Sequence, residues 1–580
     1  MILFIIVTAL FLALAVFVAG SQRVQLNGGV LSLSIAVSAV VFKLWLVSWQ
    51  DLIGHGTAGH DDFLFLRLAA FIAEGEWLGV YDHLTLIKGP FYAIWMALLY
   101  ELGIPLLLGN QLLYAFASVV AAISLRPVVK SDWGLLIVFL VLLFNPMTFS
   151  LGHVARVDRF GIYPAQTLLV HACAVGLLLR YSQTVRENMG WFFGLGVGLG
   201  LFLITREAAF WVYPGLILVA IAAIFFPELK RAAFSRHRLT PWVWVFVLAM
   251  IPSQLVSFAN WKAYEFWGVT EYGNTTFASA YGALNRVLPK SSNLRVPVSK
   301  EVRTLVYAQS PAFAELETLF EGTIADGWSL TSQIELEQEM DGEIAGGWFM
   351  WALRDAAFYN LKHQWFGKSE GFYRKVADEI NTACDEGKLE CLAERNWFGP
   401  VLSTDQFIPT MKTFGAASVS LVKFSQYLPE SSESTGQDWM LAMFRDYTGE
   451  RLSINWQDRA PTENYVKKQI QAERALLKIH KQYRQWVPIL AVGLIILLVM
   501  QFARWRRLTP IDKLLVLGVI AVVGNMMAYT LMLSFMEITS VLTIKHQYIY
   551  PNHALLCWLI GLGLVSFFAG SRRFLTEKLN

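Results

Sequence analysis

The chain has 580 residues, of which 55% are hydrophobic and only 16% charged, with a mean hydropathy of +0.46. That composition excludes an ordinary soluble globular protein and a disordered chain. The formal net charge of +3 is informative through its placement along the chain, and no nucleic-acid partner is expected.

In chain order, the apolar runs long enough to be membrane spans, at about 20 residues each, predict about eleven transmembrane helices. They fall at 2–19, 29–49, 105–125, 134–150, 162–179, 190–205, 208–226, 241–259, 486–503, 514–536 and 551–569. The fold class expected is therefore mainly α, a polytopic helical membrane protein. Arg23, Arg126 with Lys130, Arg180 with Arg186, Lys230 to Arg238, Arg504 to Arg507, and Arg572 to Lys578 lie in alternate connections. By the positive-inside rule those connections are cytoplasmic, as is the C-terminus. The segments 50–104, 151–161, 260–485 and 537–550 then face outward, as in a bacterial inner-membrane protein with a periplasmic insert. The run 2–19 lacks a basic leader and a clear cleavage site, which favours an uncleaved first helix over a signal peptide.

Three blocks are expected: an N-terminal transmembrane module (1–259), an extracytoplasmic soluble domain (260–485) and C-terminal transmembrane helices (486–580). Amphipathic spacing in the middle block predicts a mainly helical domain. The loop 50–104 is unusually apolar, and its two short stretches, Asp61–Ala73 and Pro90–Leu102, read as juxtamembrane helices. Cys173 and Cys557 sit in apolar runs and read as packing residues. Cys384 and Cys391 lie in the outward block, where a disulfide is permitted, and the sequence leaves that pairing open.

The ionisable residues at the outer helix ends are the candidates for chemistry. They are Asp61, Asp62 and Lys88; Arg156, Asp158 and Arg159; Arg206 and Glu207; and Lys545, His546 and Tyr548. Acids beside lipid are costly and so point to a site. Arg and Lys would hold the phosphate of a lipid-linked substrate, and a carboxylate would serve as general base toward an acceptor hydroxyl. Each group also has a purely structural reading. Asp61 or Asp62 suits a helix start. Arg156 and Arg159 could snorkel to the interface or pair with Asp158. Arg206 and Glu207 could pair with each other, and Lys545 and His546 could be ordinary loop residues. The aromatic group Trp348, Phe349 and Trp351 reads more readily as core than as a sugar platform. Asn274 opens a glycosylation-type sequon, which carries no meaning in a bacterial chain.

The order Asp61-Asp62, Gly75 to Gly79, Lys88-Gly89-Pro90-Phe91-Tyr92, Val157-Asp158, Thr205-Arg206-Glu207 and His546 to Pro551 resembles the C-type (GT-C) superfamily of polytopic membrane glycosyltransferases. That superfamily includes protein O-mannosyltransferases and lipid A aminoarabinose transferases. The resemblance runs over 29–226 and more weakly over 540–570. The chain departs from the pattern in having Asp-Asp for the commoner Asp-Glu, and Lys88-Gly89-Pro90 for a His/Lys-Pro-Pro element. What the resemblance implies is an inverting transfer from a polyprenyl-phosphate-linked sugar to a glycan, lipid or protein acceptor outside the membrane. Asp61 or Asp62 would be the base. Lys88, Arg156, Arg159, Arg206, Glu207, Lys545, His546 and Tyr548 would surround the lipid phosphate. Asp158 would orient the base, the acceptor or a divalent metal ion. A transporter or export component for lipid-linked saccharides, or an inactive scaffold relative, is the alternative.

Overall fold

The structure is a computed structural model that describes residues 29–225, 236–273, 275–290, 293–361, 366–394, 404–429, 432–454, 463–545 and 547–579. The expected helix at 2–19, Asn274 and His546 lie outside them. The described residues are mainly helical and hold no strand beyond four isolated bridges. The principal helices are α1 (Gly29–Val47), α2 (Asp62–Ala73), α3 (Phe91–Glu101), α4 (Leu106–Ser124), α5 (Asp132–Leu143), α6 (Tyr163–Leu179), α7 (Met189–Leu203), α8 (Tyr213–Phe225) and α9 (Arg236–Tyr264). They continue with α10 (Thr275–Arg286), α11 (Lys300–Tyr307), α12 (Ala325–Leu336), α13 (Trp348–Asn360), α14 (Phe366–Asp385), α15 (Phe407–Val422), α16 (Asp438–Thr448), α17 (Glu463–Ala503), α18 (Pro510–Thr539) and α19 (Tyr550–Leu579).

Among the described residues, six helical stretches are long and apolar enough to cross a membrane, in α1, α4, α9, α17, α18 and Gln547–Phe567. The chain is an integral membrane protein. The helices at four other expected spans are shorter. The run 134–150, for example, stops at Leu143. Asn145 accepts a hydrogen bond from the Met147 amide at 3.2 Å, and Pro146 opens a separate 3-10 turn, because proline cannot continue an α-helical ladder. On α17, Ile489, Val492, Ile496 and Val499 recur at helical spacing and are all exposed. In an integral membrane protein such a stripe faces lipid.

Two main hydrophobic cores organise the chain. The first unites the membrane-type helices with Phe65, Tyr92 and Val157 from the outer loops. The second is formed by residues from Phe277 to Leu389, on α10 to α14. The stretch expected as one soluble block therefore divides. Ala417, Leu421, Phe444, Leu452 and Leu476 join the first core, α15 packs on α18, and α16 packs on α2 and α3. The reason is visible in α15 itself, an apolar helix that can bury a face only against another apolar surface. Cys384 and Cys391 are joined by a disulfide at the C-terminal end of α14.

Helix α7 shows how glycine sets the packing. A β-carbon on Gly196 would stand 2.7 Å from Leu248 Cβ, and one on Gly200 would stand 2.6 Å from the Ala249 carbonyl oxygen. Glycine at these i, i+4 positions lets α9 approach backbone to backbone, as small residues do between membrane helices. Gly198, on another face, would meet only Val170, at 4.0 Å. Gly196→Ala and Gly200→Ala are therefore expected to cost about 1–3 kcal/mol each by overpacking. Gly198→Ala should be neutral or stabilising by up to about 1 kcal/mol. Thermal unfolding of the detergent-solubilised variants checks the contrast, and equal effects at the three positions would refute it.

Candidate functional site

The connections expected on one side do meet at one end of the bundle. The Ile53 amide donates to the Ala155 carbonyl at 2.7 Å, Leu52 to Arg451 at 2.7 Å, Gly56 to Thr435 at 2.6 Å and Glu271 to Leu86 at 2.8 Å. The site lies within this knot of loops, at the start of α2.

Asp61 occupies the N-cap position of α2, but its side chain makes no capping bond. It forms an ion pair with Lys88 instead, and is 58% exposed while Lys88 is buried. Asp62, next in the chain, is 0% exposed. Arg156 grips it with two hydrogen bonds, Nε to Oδ1 at 3.0 Å and Nη2 to Oδ2 at 2.5 Å. Burial pushes the Asp62 carboxyl up to about 6 against the pull of Arg156. Burial also disfavours the Arg156 cation, but Asp62 outweighs it and holds the guanidinium above its ordinary range. Burial pushes the Lys88 ammonium down to about 7, with Arg159 adding to the shift and Asp158 and Glu207 opposing it.

Arg159 pairs with Glu207, its Nη1 lying 2.9 Å from Oε2, and also donates to the Thr205 carbonyl at 3.2 Å. Glu207 in turn accepts from the Gly89 amide at 2.8 Å. Burial works against the Glu207 charge, yet Arg159 and the amide bonds hold its carboxyl below the ordinary range. This close approach depends on Gly89. A β-carbon there would run into the Ile204 carbonyl, so no other residue lets the Lys88-Gly89-Pro90 turn lie against Thr205.

Four acids and four bases thus converge, and three pairs are satisfied: Asp61 with Lys88, Asp62 with Arg156, and Glu207 with Arg159. Asp158 and Arg206 have no ion-pair partner among the described residues. Asp158 accepts from the Phe160 amide at 2.8 Å and from Gln547 Nε2 at 3.2 Å. Arg206 is 6% exposed, and its guanidinium stacks on Phe160 (4.5 Å) and Tyr548 (4.8 Å). Its Nη1 is buried without a hydrogen-bond partner. An unanswered buried donor of this kind is costly unless an anion completes it.

Nine of the residues singled out from the sequence are accordingly gathered here. Lys545 is not among them. Its ammonium lies 2.7 Å from Glu337, and both side chains are exposed. The expected place of Lys545 beside the phosphate has no contact with the cluster among the described residues to support it. No group of three or more His, Cys, Asp or Glu side chains able to hold a metal exists among the described residues. The site's acids are already engaged by cations or amides, so the donor set does not fit a divalent ion.

No family model matches the chain, and no curated protein does. Among solved structures the chain is similar to the ArnT of Cupriavidus metallidurans in its apo state. That comparison covers 88% of this chain and 77% of the other, at 15% identity and a TM-score of 0.30. For the ArnT structure bound to undecaprenyl phosphate the coverage is 89% and 78%, the identity 14% and the TM-score 0.32.

The second core also supplies residues that sequence reasoning set aside or missed. Arg354 on α13 is buried in an ion pair with Glu271. It donates to the carbonyls of His83 at 2.9 Å and Thr85 at 3.1 Å, so α13 is clamped onto the turn leading to Lys88. No local signal in the sequence links positions so far apart. His60, beside the acidic pair, lies against Trp328 and Trp351 at ring-centroid distances of 4.6 and 4.8 Å.

The Asp62–Arg156 pair yields a stability prediction. Arg156→Ala strands a carboxylate with no access to water and should destabilise the protein by about 3–5 kcal/mol. Asp62→Asn in the same chain removes the stranded charge and should recover more than half of the loss. A double-mutant cycle by thermal unfolding measures this, and additive losses would exclude the pair as the source.

Proposed function

We propose that the chain is a membrane glycosyltransferase that moves a sugar from a polyprenyl-phosphate donor to an acceptor hydroxyl on the extracytoplasmic side. The observation that carries this reading is Arg206, buried, stacked on two rings and left with an unanswered donor beside three completed ion pairs. A cluster with one cation in want of an anion is suited to a phosphate, and Arg offers it charge-assisted bonds. The sequence resemblance to C-type membrane glycosyltransferases supports the same assignment.

In this mechanism the lipid phosphate docks between Arg206 and Lys88. Lys88 turns part of its charge from Asp61 to the phosphate, which frees the Asp61 carboxylate. Asp61 accepts the proton of the acceptor hydroxyl as its oxygen attacks the anomeric carbon. The bond from that carbon to the phosphate oxygen breaks, and the charge on the departing lipid phosphate is stabilised by Arg206 and Lys88. Attack opposite the leaving group inverts the anomeric centre. Exposure favours Asp61 over Asp62 as the base, since the Asp62 oxygens are both held by Arg156. Asp158, fixed by the Phe160 amide and Gln547, acts as a positioning residue for Arg156 and Arg159. A transporter would set its charged groups near the middle of the spans, whereas these eight lie at helix ends and in loops.

Asp61→Asn should abolish release of labelled sugar from undecaprenyl-phosphate-linked donors in membranes carrying the protein, with expression and insertion unchanged. Full activity in both Asp61→Asn and Asp62→Asn would sink the assignment. Arg206→Gln should weaken binding of undecaprenyl phosphate by about tenfold, the worth of a charged hydrogen bond.

A pH dependence follows as well. The folded Lys88 is pushed down to about 7, below the ordinary 10.5, so its ammonium is half lost at pH 7 and nearly gone by pH 9. Above pH 7, where the lipid phosphate has already lost its second proton, affinity for undecaprenyl phosphate should fall as pH rises to 9. Lys88→Arg, which stays charged, should flatten the profile, and a rise in affinity with pH would contradict the role of Lys88.

A further inference from the structure

Trp351 stands at the seam of the molecule. It is carried on α13 by the second core, is half-buried, and packs against both hydrophobic cores. Its ring centre lies 5.8 Å from Lys88 Nζ. Trp328, on α12, presents a ring inclined by 13° to that of Trp351, with centroids 6.3 Å apart. The imidazole of His60 meets both rings edge-on. His60 Nε2 is buried and has no hydrogen-bond partner among the described residues.

The arrangement is held from behind. Trp328 Nε1 donates to Asp355 Oδ2 at 2.7 Å. Arg354, beside Asp355, locks α13 to the carbonyls of His83 and Thr85. Packing alone has no need of this company for an indole: the Lys88 ammonium and an imidazole with an unanswered nitrogen, both brought to it from the first outer loop. Burial, with Lys88 and His83 adding to it, holds the His60 imidazole down at about 4, so at neutral pH the ring is uncharged and can both give and accept a hydrogen bond.

We propose that Trp351 and His60 form the subsite for the sugar carried by the lipid phosphate, the indole covering the apolar face of a pyranose and His60 Nε2 binding one of its hydroxyls. This rests on the glycosyltransferase reading above. A lipid tail would leave the imidazole unused, and a bare phosphate would leave the indole unused. A pyranose uses both, since one face of its ring presents C–H groups and its rim presents hydroxyls. The sugar is joined directly to the phosphate, so a phosphate held by Lys88 brings its first sugar within reach of Trp351. The second core thereby contributes a wall of the donor site. Because every pyranose offers a C–H face, the indole's contribution is largely independent of which sugar is carried.

The test titrates the full-length protein in nanodiscs with undecaprenyl phosphate and with undecaprenyl phosphate carrying mannose, glucose or 4-aminoarabinose. The wild type should bind the three sugar-bearing lipids more tightly than the bare phosphate. Trp351→Ala should erase about tenfold of that gain while leaving the affinity for bare undecaprenyl phosphate within about twofold. Trp351→Phe, which keeps a ring face, should retain most of the gain, and His60→Ala should lose part of it. The inference is overturned if Trp351→Ala weakens all four lipids in parallel, if it changes none of them, or if the wild type binds all four alike. Failure of the wild type to bind any of the four, bare phosphate included, would instead mark the failure of the glycosyltransferase reading.

Discussion

Asp62 has no contact with water, and a carboxylate in that position persists only because Arg156 meets both of its oxygens. An unpaired charge there would cost several kcal/mol or force the group to take up a proton. The pair has a structural consequence as well as an electrostatic one. Asp62 opens α2 and Arg156 belongs to the loop after α5, so satisfying the charge fixes two outer connections against each other. The backbone bond from Ile53 to Ala155 lies beside it and reinforces the same junction. With that junction set, Asp158 and Arg159 follow within three residues of Arg156, and Arg159 reaches Glu207 in a third connection.

This explains why the clustering of these charges was legible from the sequence. Charges at the ends of apolar helices are expensive, and the cheapest solution is to gather them where each can answer another. The grouping of Asp61, Asp62, Lys88, Arg156, Asp158, Arg159, Arg206, Glu207 and Tyr548 follows from that rule once the helix ends are placed on one side. The pairing within the group was not legible. Arg156 turns to Asp62 rather than to Asp158, and Glu207 turns to Arg159 rather than to its neighbour Arg206. Arg206 and Glu207 lie in the turn between α7 and the next helix, and Glu207 is answered by Arg159 across the cluster instead of by its neighbour. The partner of Lys545 was not legible either: Glu337 is 208 residues away in the chain and no periodicity announces it.

The fold was legible in the same uneven way. Helices stand at ten of the expected spans, because apolar runs of that length have few other solutions in lipid. Their ends moved where local chemistry intervened, as at Asn145-Pro146. The stretch 260–485 reads as one block because its composition is uniformly less apolar than the spans on either side. Composition does not reveal which core a helix joins. α15 and α16 lie beyond the second core in sequence, and they are apolar enough on one face to complete the first.

Trp351 shows how that division bears on function. Read locally, an aromatic group beside Phe349 belongs to a core, and Phe349 is indeed buried in one. Trp351 is two residues further along α13, about 200° around the helix, and packs against both cores where Phe349 lies in the second alone. It emerges where the second core meets the first, over Lys88. The two neighbouring acids are separated by the same logic. Asp62 is fully buried and committed to Arg156, while Asp61 pairs with the buried Lys88 and itself stays 58% exposed. The buried acid ties two outer connections together through Arg156, and the exposed one is left at the surface of the junction so formed.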